Sequence, residues 1–424
     1  MATVSRNLPS RPHLDVPKRE ARELLKQFRA GNPEALDRVR RQHPRFKKTG
    51  ADNLATAEFR LSDAQLVIAR EYGLSHWADL KRRITSHSLA QALDAAIRAD
   101  DRETVVRILQ SNPQLLHIPV WSGNWGPPMS HAANLGRLEI IQAVAQLGAR
   151  DFQHAFDRAV LQGRLECARW LLEHGAKLAP GIIMGACETL KASGFRFLDE
   201  LNVPYTDARG DRLAPLALVL ETYCRNSAGK HEILDLFEKR GYELPDTPIM
   251  AVHRGDAGRL KEHLQRDASL IQRRFALGEI YPPELGCGDD GRAGMHGTPV
   301  DGGTLLHLAI EFDEQEIFDL LLARSADVNA RALIDAEGFG GHTPLFNALV
   351  SMPAACRRQR DGAIVRRLLA GGASKDLRAT LRKFLDWCET PRWHLAREVT
   401  PAEWANGFPE KGWVNEEGAS LLNP

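Results

Sequence analysis

Residues 284–296 bring together the side chains that bind phosphates and metals. Gly286-Cys-Gly-Asp-Asp-Gly291 reads G-x-G-x-x-G, the loop that cradles a dinucleotide pyrophosphate when a strand precedes it and a helix follows. Here two aspartates inside the loop would repel phosphate, and Arg-Ala-Gly follows instead of a helix-forming run. The pattern therefore predicts no nucleotide site.

The same stretch carries five metal-competent residues, but their spacing matches no zinc ribbon, zinc finger or calcium loop. They are Glu284, Cys287, Asp289, Asp290 and His296. Acidic, glycine-rich loops are more often solvated than metal-bound, so we predict no metal and no cofactor.

Two further motifs are incomplete. Gly229-Lys230 lacks the earlier glycine and the following Ser or Thr of a phosphate-binding loop, and His231-Glu-Ile-Leu-Asp235 ends in Asp where a zinc protease needs a second His. No segment pairs a nucleophile with a base. The sequence therefore predicts a protein that is not an enzyme.

The organisation of the chain is more informative than its reactive groups. Gly302-Gly-Thr-Leu-Leu-His-Leu-Ala-Ile310 reads as a turn and a short helix, and Asp319 to Asn329 reads as a second helix with an Asp-Val-Asn turn. Similar starts recur at residues 91, 127, 154, 181, 214, 247, 304 and 343. Their successive differences, 36, 27, 27, 33, 33, 57 and 39, scatter around 33 residues. A ninth start is expected at Thr400.

These units resemble the ankyrin repeat, with its Thr-Pro-Leu-His-x-Ala helix and Leu-Leu-x-x-Gly-Ala-Asp helix end. The likeness is strongest at Thr247, Thr304 and Thr343, and it covers roughly residues 87–388. It implies an all-α solenoid of eight or nine stacked helix pairs, in which His307 hydrogen-bonds across its turn. It also implies a concave face and projecting turns, called fingers, that bind a protein partner.

Composition agrees with a soluble, folded protein. The 424 residues are 43% hydrophobic and 26% charged, with a net charge of +1. No apolar run is long enough to span a membrane, and the first residues lack the apolar core of a signal peptide. Six widely separated cysteines without a Cys-x-x-Cys pair are typical of reduced thiols. We therefore expect a cytoplasmic protein.

The N-terminal region is distinct. Residues 1–85 contain 18 Lys and Arg against 10 Asp and Glu, a net charge of +8 that leaves −7 for the rest. Residues 61–84 predict a helical hairpin that looks like a segment found ahead of the repeats in bacterial ankyrin proteins. Its turn also resembles that of a DNA-binding helix-turn-helix, and Lys81, Arg82 and Arg83 would contact phosphates. The alternative is a helical cap for the solenoid end.

Partner contacts are expected on enlarged fingers, where aromatic side chains bury much area at little entropic cost. The alternative for each aromatic residue is packing on the neighbouring turn. The predicted partner-binding residues are Trp121, Asn124, Trp125, Arg212, Tyr281, Asp289, Asp290, Arg292, His296, Phe339 and His342.

The predicted architecture has four parts. They are a flexible tail (1–17), a helical N-terminal region (18–86), ankyrin-like repeats with insertions at 276–303 and 330–342 (87–388), and a Trp-rich C-terminal cap (389–424). The predicted function is non-catalytic binding of a protein partner, with a nucleic-acid-associated regulator as the alternative.

Overall fold

The computed structural model describes residues 6–9, 12–47, 49–50, 53–54, 57–120, 125–288, 295–385 and 390–422. The chain divides into two compact units, Met1–Ala155 and Phe156–Pro424. Both are mostly helical. Within the described residues, no helix is both long and apolar enough to cross a lipid bilayer.

The helices of the first unit are α1 (Asp15–Arg29), α2 (Pro33–Gln42), α3 (Leu61–Glu71), α4 (Trp77–Arg98), α5 (Arg102–Ser111), α6 (Pro128–Leu135) and α7 (Leu138–Gln146). Helix α8 (Phe152–Leu161) crosses the division.

The helices that follow in the second unit are α9 (Leu165–Glu173), α10 (Ile183–Thr189), α11 (Ala192–Glu200), α12 (Ala214–Glu221), α13 (Ser227–Lys239), α14 (Pro248–His253), α15 (Ala257–Arg266), α16 (Leu277–Ile280), α17 (Leu305–Glu311), α18 (Gln315–Ala323), α19 (Pro344–Leu349), α20 (Met352–Ala355) and α21 (Ala363–Ala370). Strands β1 (Ala379–Leu385) and β2 (Arg392–Val399) come next, followed by α22 (Pro401–Gly407) and α23 (Glu416–Ser420).

The N-terminal helices enclose a core of their own. Phe28, Phe46 and Phe59 meet there, and the rings of Phe28 and Phe59 stack with their centroids 4.2 Å apart. Arg6 forms ion pairs with Glu20 at 2.8 Å and with Glu71 at 3.4 Å. The prediction of a flexible tail over 1–17 is therefore wrong for its described part, because ion pairs hold Arg6 against α1 and α3.

The positions predicted to begin helices do so. Thr247, Thr304, Thr343 and Thr400 are the N-cap residues of α14, α17, α19 and α22. In three of these helices Pro occupies the first turn, where its missing N–H breaks no hydrogen bond. The predicted starts at residues 127, 154, 181 and 214 lie within two residues of the first residue of a helix, whereas residue 91 lies inside the continuous 22-residue helix α4.

The prediction of an all-α chain is wrong in one segment. Strands β1 and β2 pair antiparallel, with Arg382 opposite Leu395 and Phe384 opposite Trp393. The boundary predicted at 388/389 falls inside the connection between these strands. Side chains of a strand alternate between its two faces, and the face of β1 that carries Leu381 and Leu385 is buried. This burial with a period of two residues favours a strand over the predicted helix.

The tryptophans predicted to form a C-terminal cap separate into different environments. Trp404 and Trp413 are buried, whereas Trp393 is 55% exposed on β2. Trp387 lies outside the described residues. The indole Nε1 of Trp404 donates a hydrogen bond to Thr298 Oγ1 at 2.9 Å, which joins α22 to the segment preceding α17.

Candidate functional site

A groove runs between the turns that precede successive first helices of the second unit. Its volume is about 690 Å³. The residues that line this finger groove are Arg212, Leu213, Leu216, Gly241, Tyr242, Glu243, Leu244, Pro245, Glu284 and Leu285. Four leucines contribute apolar side chains to its walls, while the exposed Arg212, Glu243 and Glu284 mark its polar rim. A concave, mainly apolar surface with a few charges suits recognition of another molecule.

The first wall of the finger groove is a turn stiffened by its own carboxylates. Asp207 Oδ1 accepts hydrogen bonds from the backbone N–H groups of Arg209 and Asp211, and Asp211 Oδ1 accepts from that of Leu213. Such Asx-turn contacts hold a turn without help from a sheet or helix. The adjoining Arg212 guanidinium lies 5.0 Å from the Tyr242 ring centroid, an attractive cation–π distance.

The second wall comes from the 276–303 insertion. Gly286 crosses directly over the Leu213 turn with φ +85°, and a Cβ there would lie 2.7 Å from Leu213 Cβ. Only glycine combines this close approach with a positive φ at low cost. Gly286, the first glycine of the G-x-G-x-x-G pattern, therefore allows two chain segments to pack closely.

The described residues on both sides of positions 289–294 in the insertion are anchored inside the protein. Tyr281 Oη and His296 Nε2 are 2.8 Å apart, and His253 Nε2 is hydrogen-bonded to the Ile280 carbonyl at 2.7 Å. The guanidinium of Arg225 donates to the Met295 carbonyl at 2.9 Å. These bonds fix both ends of the loop that carries Glu284 and Leu285, so they position one side of the finger groove.

The anchoring groups form a buried, titratable cluster. Lys230 Nζ lies 2.6 Å from His253 Nδ1, and burial lowers the pKa of Lys230 to about 7 and that of His253 well below its usual value. Burial also raises the pKa of Glu311 to about 7, while the nearby Arg225 opposes that rise. Neutral His253 accepts from Lys230 and donates to Ile280, which explains why the imidazole stays unprotonated.

Near-neutral pKa values are frequent in catalytic sites, but the space here is too small for a substrate. The cavity beside Arg225 and Lys230 has a volume of about 10 Å³, which is room for roughly one water molecule. Within the described residues, no group of three or more His, Cys, Asp or Glu side chains is arranged to hold a metal ion. The cluster is therefore suited to positioning the insertion.

Several predicted partner-binding residues are not on the surface. Tyr281 is 1% exposed, His296 is 4% and His342 is 1%, so the expectation that they contact a partner is wrong. Their polarity suggested a surface position, yet Tyr281 and His296 satisfy each other inside the protein. Burial lowers the pKa of His342 to about 4, which keeps that ring neutral.

The other predicted partner-binding residues differ in their environments. Trp125 is half-buried, with its ring 5.2 Å from His131 and the Arg98 guanidinium 5.1 Å away, so it packs on neighbouring helices. Arg212 and Phe339 keep part of their surface exposed. The other five predicted residues, Trp121, Asn124, Asp289, Asp290 and Arg292, lie outside the described part of the chain.

The basic residues of the nucleic-acid alternative lie at the start of α4. Lys81, Arg82 and Arg83 are all exposed, and Arg82 forms an ion pair with Asp79 at 2.6 Å. The helix begins at Trp77, and the side chain of its N-cap residue His76 makes no capping hydrogen bond. DNA binding by this region stays a prediction.

The sequence did not single out Leu213, Tyr242 or Leu244 for the finger groove. They occupy short turns that contain no motif, and the groove exists only because three separate turns come together. A signal that could have indicated it is the repeated placement of Leu next to Pro or Ala just before α12 and α14.

His307 forms hydrogen bonds within its own turn and with the following turn. Its Nδ1 accepts a hydrogen bond from the Thr304 backbone N–H at 3.0 Å, and its Nε2 lies 3.3 Å from the His342 carbonyl in the following turn. The ankyrin-repeat family model matches residues 301–333, which contain this unit. The chain contains an ankyrin repeat. This repeat comprises α17 and α18, as the spacing predicts.

A solved structure of the human ASB11 ankyrin repeat domain also resembles this chain. The two share 17% sequence identity, and the alignment covers 70% of this chain and 97% of that one, with a TM-score of 0.25. No curated protein matches the chain.

Proposed function

We propose that this protein is a non-catalytic, cytoplasmic interaction scaffold whose finger groove binds a segment of a partner protein. Ankyrin repeats are generally protein–protein interaction modules, and the chain contains one at residues 301–333. In this proposal the other helix pairs are divergent ankyrin-like repeats of one solenoid, and the region before residue 87 covers its N-terminal end.

The observation that carries the proposal is the finger groove itself. Its walls expose Leu213 to 37% and place the half-buried Leu244 nearby, so apolar side chains of a partner would lose water on entering it. The rim offers a guanidinium from Arg212 and carboxylates from Glu243 and Glu284, which would orient that segment through charge. The proposed occupant is therefore a peptide segment with apolar anchors flanked by charged residues.

A photo-crosslinking pair tests this proposal. Benzoylphenylalanine is placed at Leu213 in the finger groove and, as a matched control, at Leu178, which is 40% exposed outside it. After irradiation of cells, a partner bound in the groove should crosslink at position 213 and not at 178. Equal yields of the same products at both positions would show that the groove has no selective occupant.

The captured partner is then purified and titrated with the wild-type protein and the Leu244→Asp variant. A buried carboxylate in an apolar contact should raise Kd at least 30-fold, since a hot-spot residue contributes about 2 kcal/mol. The Leu178→Asp variant should bind like the wild type. An unchanged Kd for Leu244→Asp would place the binding surface elsewhere.

A further inference from the structure

The β-hairpin presents one face that stays exposed at Trp393 and Leu395, while the 335–339 turn packs on its Arg382 side. In the paired strands, Arg382 lies opposite Leu395 and Phe384 opposite Trp393, which places these side chains on the same face. Arg397 follows Leu395 by two residues on β2, and Phe339 lies over this face. The hairpin face therefore consists of Phe339, Arg382, Phe384, Trp393, Leu395 and Arg397.

Guanidinium groups and aromatic rings alternate across the hairpin face. The Arg382 guanidinium lies 4.7 Å from the Phe339 centroid and 5.8 Å from the Trp393 ring, and the Arg397 guanidinium lies 5.5 Å from Phe339. The Trp393 and Phe384 centroids are 5.2 Å apart. Because each group is held by its neighbours, the face is ordered before anything binds, which reduces the entropic cost of association.

The two faces of the hairpin differ sharply in exposure. Leu381 and Leu385 on the inner face are 1% and 0% exposed, whereas Trp393 and Leu395 are 55% and 52% exposed. The pair with Phe384 accounts for one side of the Trp393 ring, whereas the outer side of that ring and Leu395 remain in water. Exposed apolar side chains beside Arg and Trp are typical of a protein-binding surface.

The two guanidinium groups of the hairpin face differ in their partners. Arg382 forms ion pairs with Asp335 and Glu337, and the carboxylate of Glu398 is hydrogen-bonded to Thr380. No carboxylate lies within ion-pair distance of the exposed Arg397 among the residues that the structure describes. The face therefore combines an apolar surface with one guanidinium whose complement is a carboxylate from another molecule.

We propose that the hairpin face binds an extended acidic peptide segment of a partner protein. An apolar side chain of that segment lies on Trp393 and Leu395, and a carboxylate pairs with Arg397. Two residues of β-strand separate Leu395 from Arg397 by about 7 Å, so the apolar and acidic residues of an extended segment stand two positions apart. This surface shares no residue with the finger groove and does not depend on the function proposed for that groove.

A charge-exchange binding experiment tests the proposal on the full-length protein. The probes are two fluorescein-labelled peptides, Thr-Leu-Thr-Asp-Thr-Leu-Thr-Asp-Thr and the same peptide with Lys in place of Asp, measured by fluorescence anisotropy. The wild type should bind the Asp peptide at least 10-fold more tightly than the Lys peptide. Arg397→Glu should reverse this preference, and Trp393→Ala should weaken binding of the Asp peptide at least 10-fold.

Controls separate this surface from folding defects and from the finger groove. Arg19→Glu reverses an exposed charge in the N-terminal unit and should leave both affinities unchanged. Leu244→Asp, in the finger groove, should also leave them unchanged. Circular dichroism should match the wild type for Trp393→Ala and Arg397→Glu, and any decrease in melting temperature should be small, because both side chains lie on an exposed face.

Three results would overturn the proposal. The first is equal affinity of the wild type for the two peptides, and the second is no binding of the Asp peptide up to 1 mM peptide (roughly −4 kcal/mol). The third is sedimentation of the wild type as a dimer that Trp393→Ala converts to monomer. In that case a second copy of this chain, not an acidic peptide, covers the hairpin face.

Discussion

Lys230 provides a quantitative test of the buried cluster that positions the 276–303 insertion. The side chain is enclosed, lies 2.6 Å from His253, and has a pKa lowered by burial from 10.5 to about 7. Above pH 7 the folded protein has released this proton, whereas the unfolded chain keeps it until about pH 10. The free energy of unfolding should therefore rise with pH across this interval.

The magnitude follows from linkage. One group contributes about 1.4 kcal/mol per pH unit where the two states differ by a full proton, and less near pH 7, where Lys230 is half protonated in the folded state, so wild-type stability should gain roughly 2 kcal/mol from Lys230 between pH 7 and pH 9. Lys230→Met keeps the length of the side chain and removes the titration. The difference in stability between variant and wild type should therefore change by that amount, to the variant's disadvantage at higher pH.

The assay is thermal unfolding at pH 7, 8 and 9, compared with the exposed control Lys261→Met. That change in the free energy of unfolding corresponds to a relative shift in Tm of roughly 5 °C for the unit Phe156–Pro424, which contains Lys230. The control should run parallel to the wild type. Parallel curves for Lys230→Met as well would refute the argument, because they would show that Lys230 titrates alike in both states.

Three further perturbations follow from single contacts. Trp404→Phe removes the indole N–H that donates to the buried Thr298, and should lower stability by about 1–3 kcal/mol in urea unfolding. Gly297→Ala places a Cβ 2.7 Å from the Val350 backbone and should lower Tm, whereas Gly407→Ala, with no atom within 4 Å, should not. Burial lowers the pKa of His342 to about 4, so this residue alone should contribute a loss of stability of roughly 1 kcal/mol per pH unit as the pH falls from 6.5 towards 4. The His342→Phe variant should lose that slope; an unchanged slope would contradict the burial argument.

The repeat spacing predicted much of the helical framework. Thr247, Thr304 and Thr343 each occupy the N-cap position of a helix that begins with an apolar face, and the Thr247 hydroxyl accepts a hydrogen bond from the Met250 backbone N–H. The same local logic failed at residue 91, where the N-terminal helix continues without a break. It also failed at β1 and β2, whose strand period is meaningful only once the partner strand is known.

The surface was harder to predict than the framework. Polar and aromatic residues in a glycine-rich insertion suggested exposure, yet Tyr281 and His296 face inward because each supplies the hydrogen bond that the other needs. Phe339 keeps part of its surface exposed, and its contact with a partner stays a prediction. Its arginine neighbours on the hairpin could not be foreseen, since Arg382 and Arg397 approach it only through strand pairing.

The sequence by itself determined that this chain contains ankyrin-like helix pairs, where most of them begin and which residues end their turns. Those features depend on interactions between residues a few positions apart. The tertiary structure alone decided that the 276–303 insertion is anchored inside the protein, that three turns form the finger groove and that a hairpin displays Trp393. These features depend on contacts between residues far apart in sequence, whose formation is decided by packing and by the cost of burying unpaired polar groups.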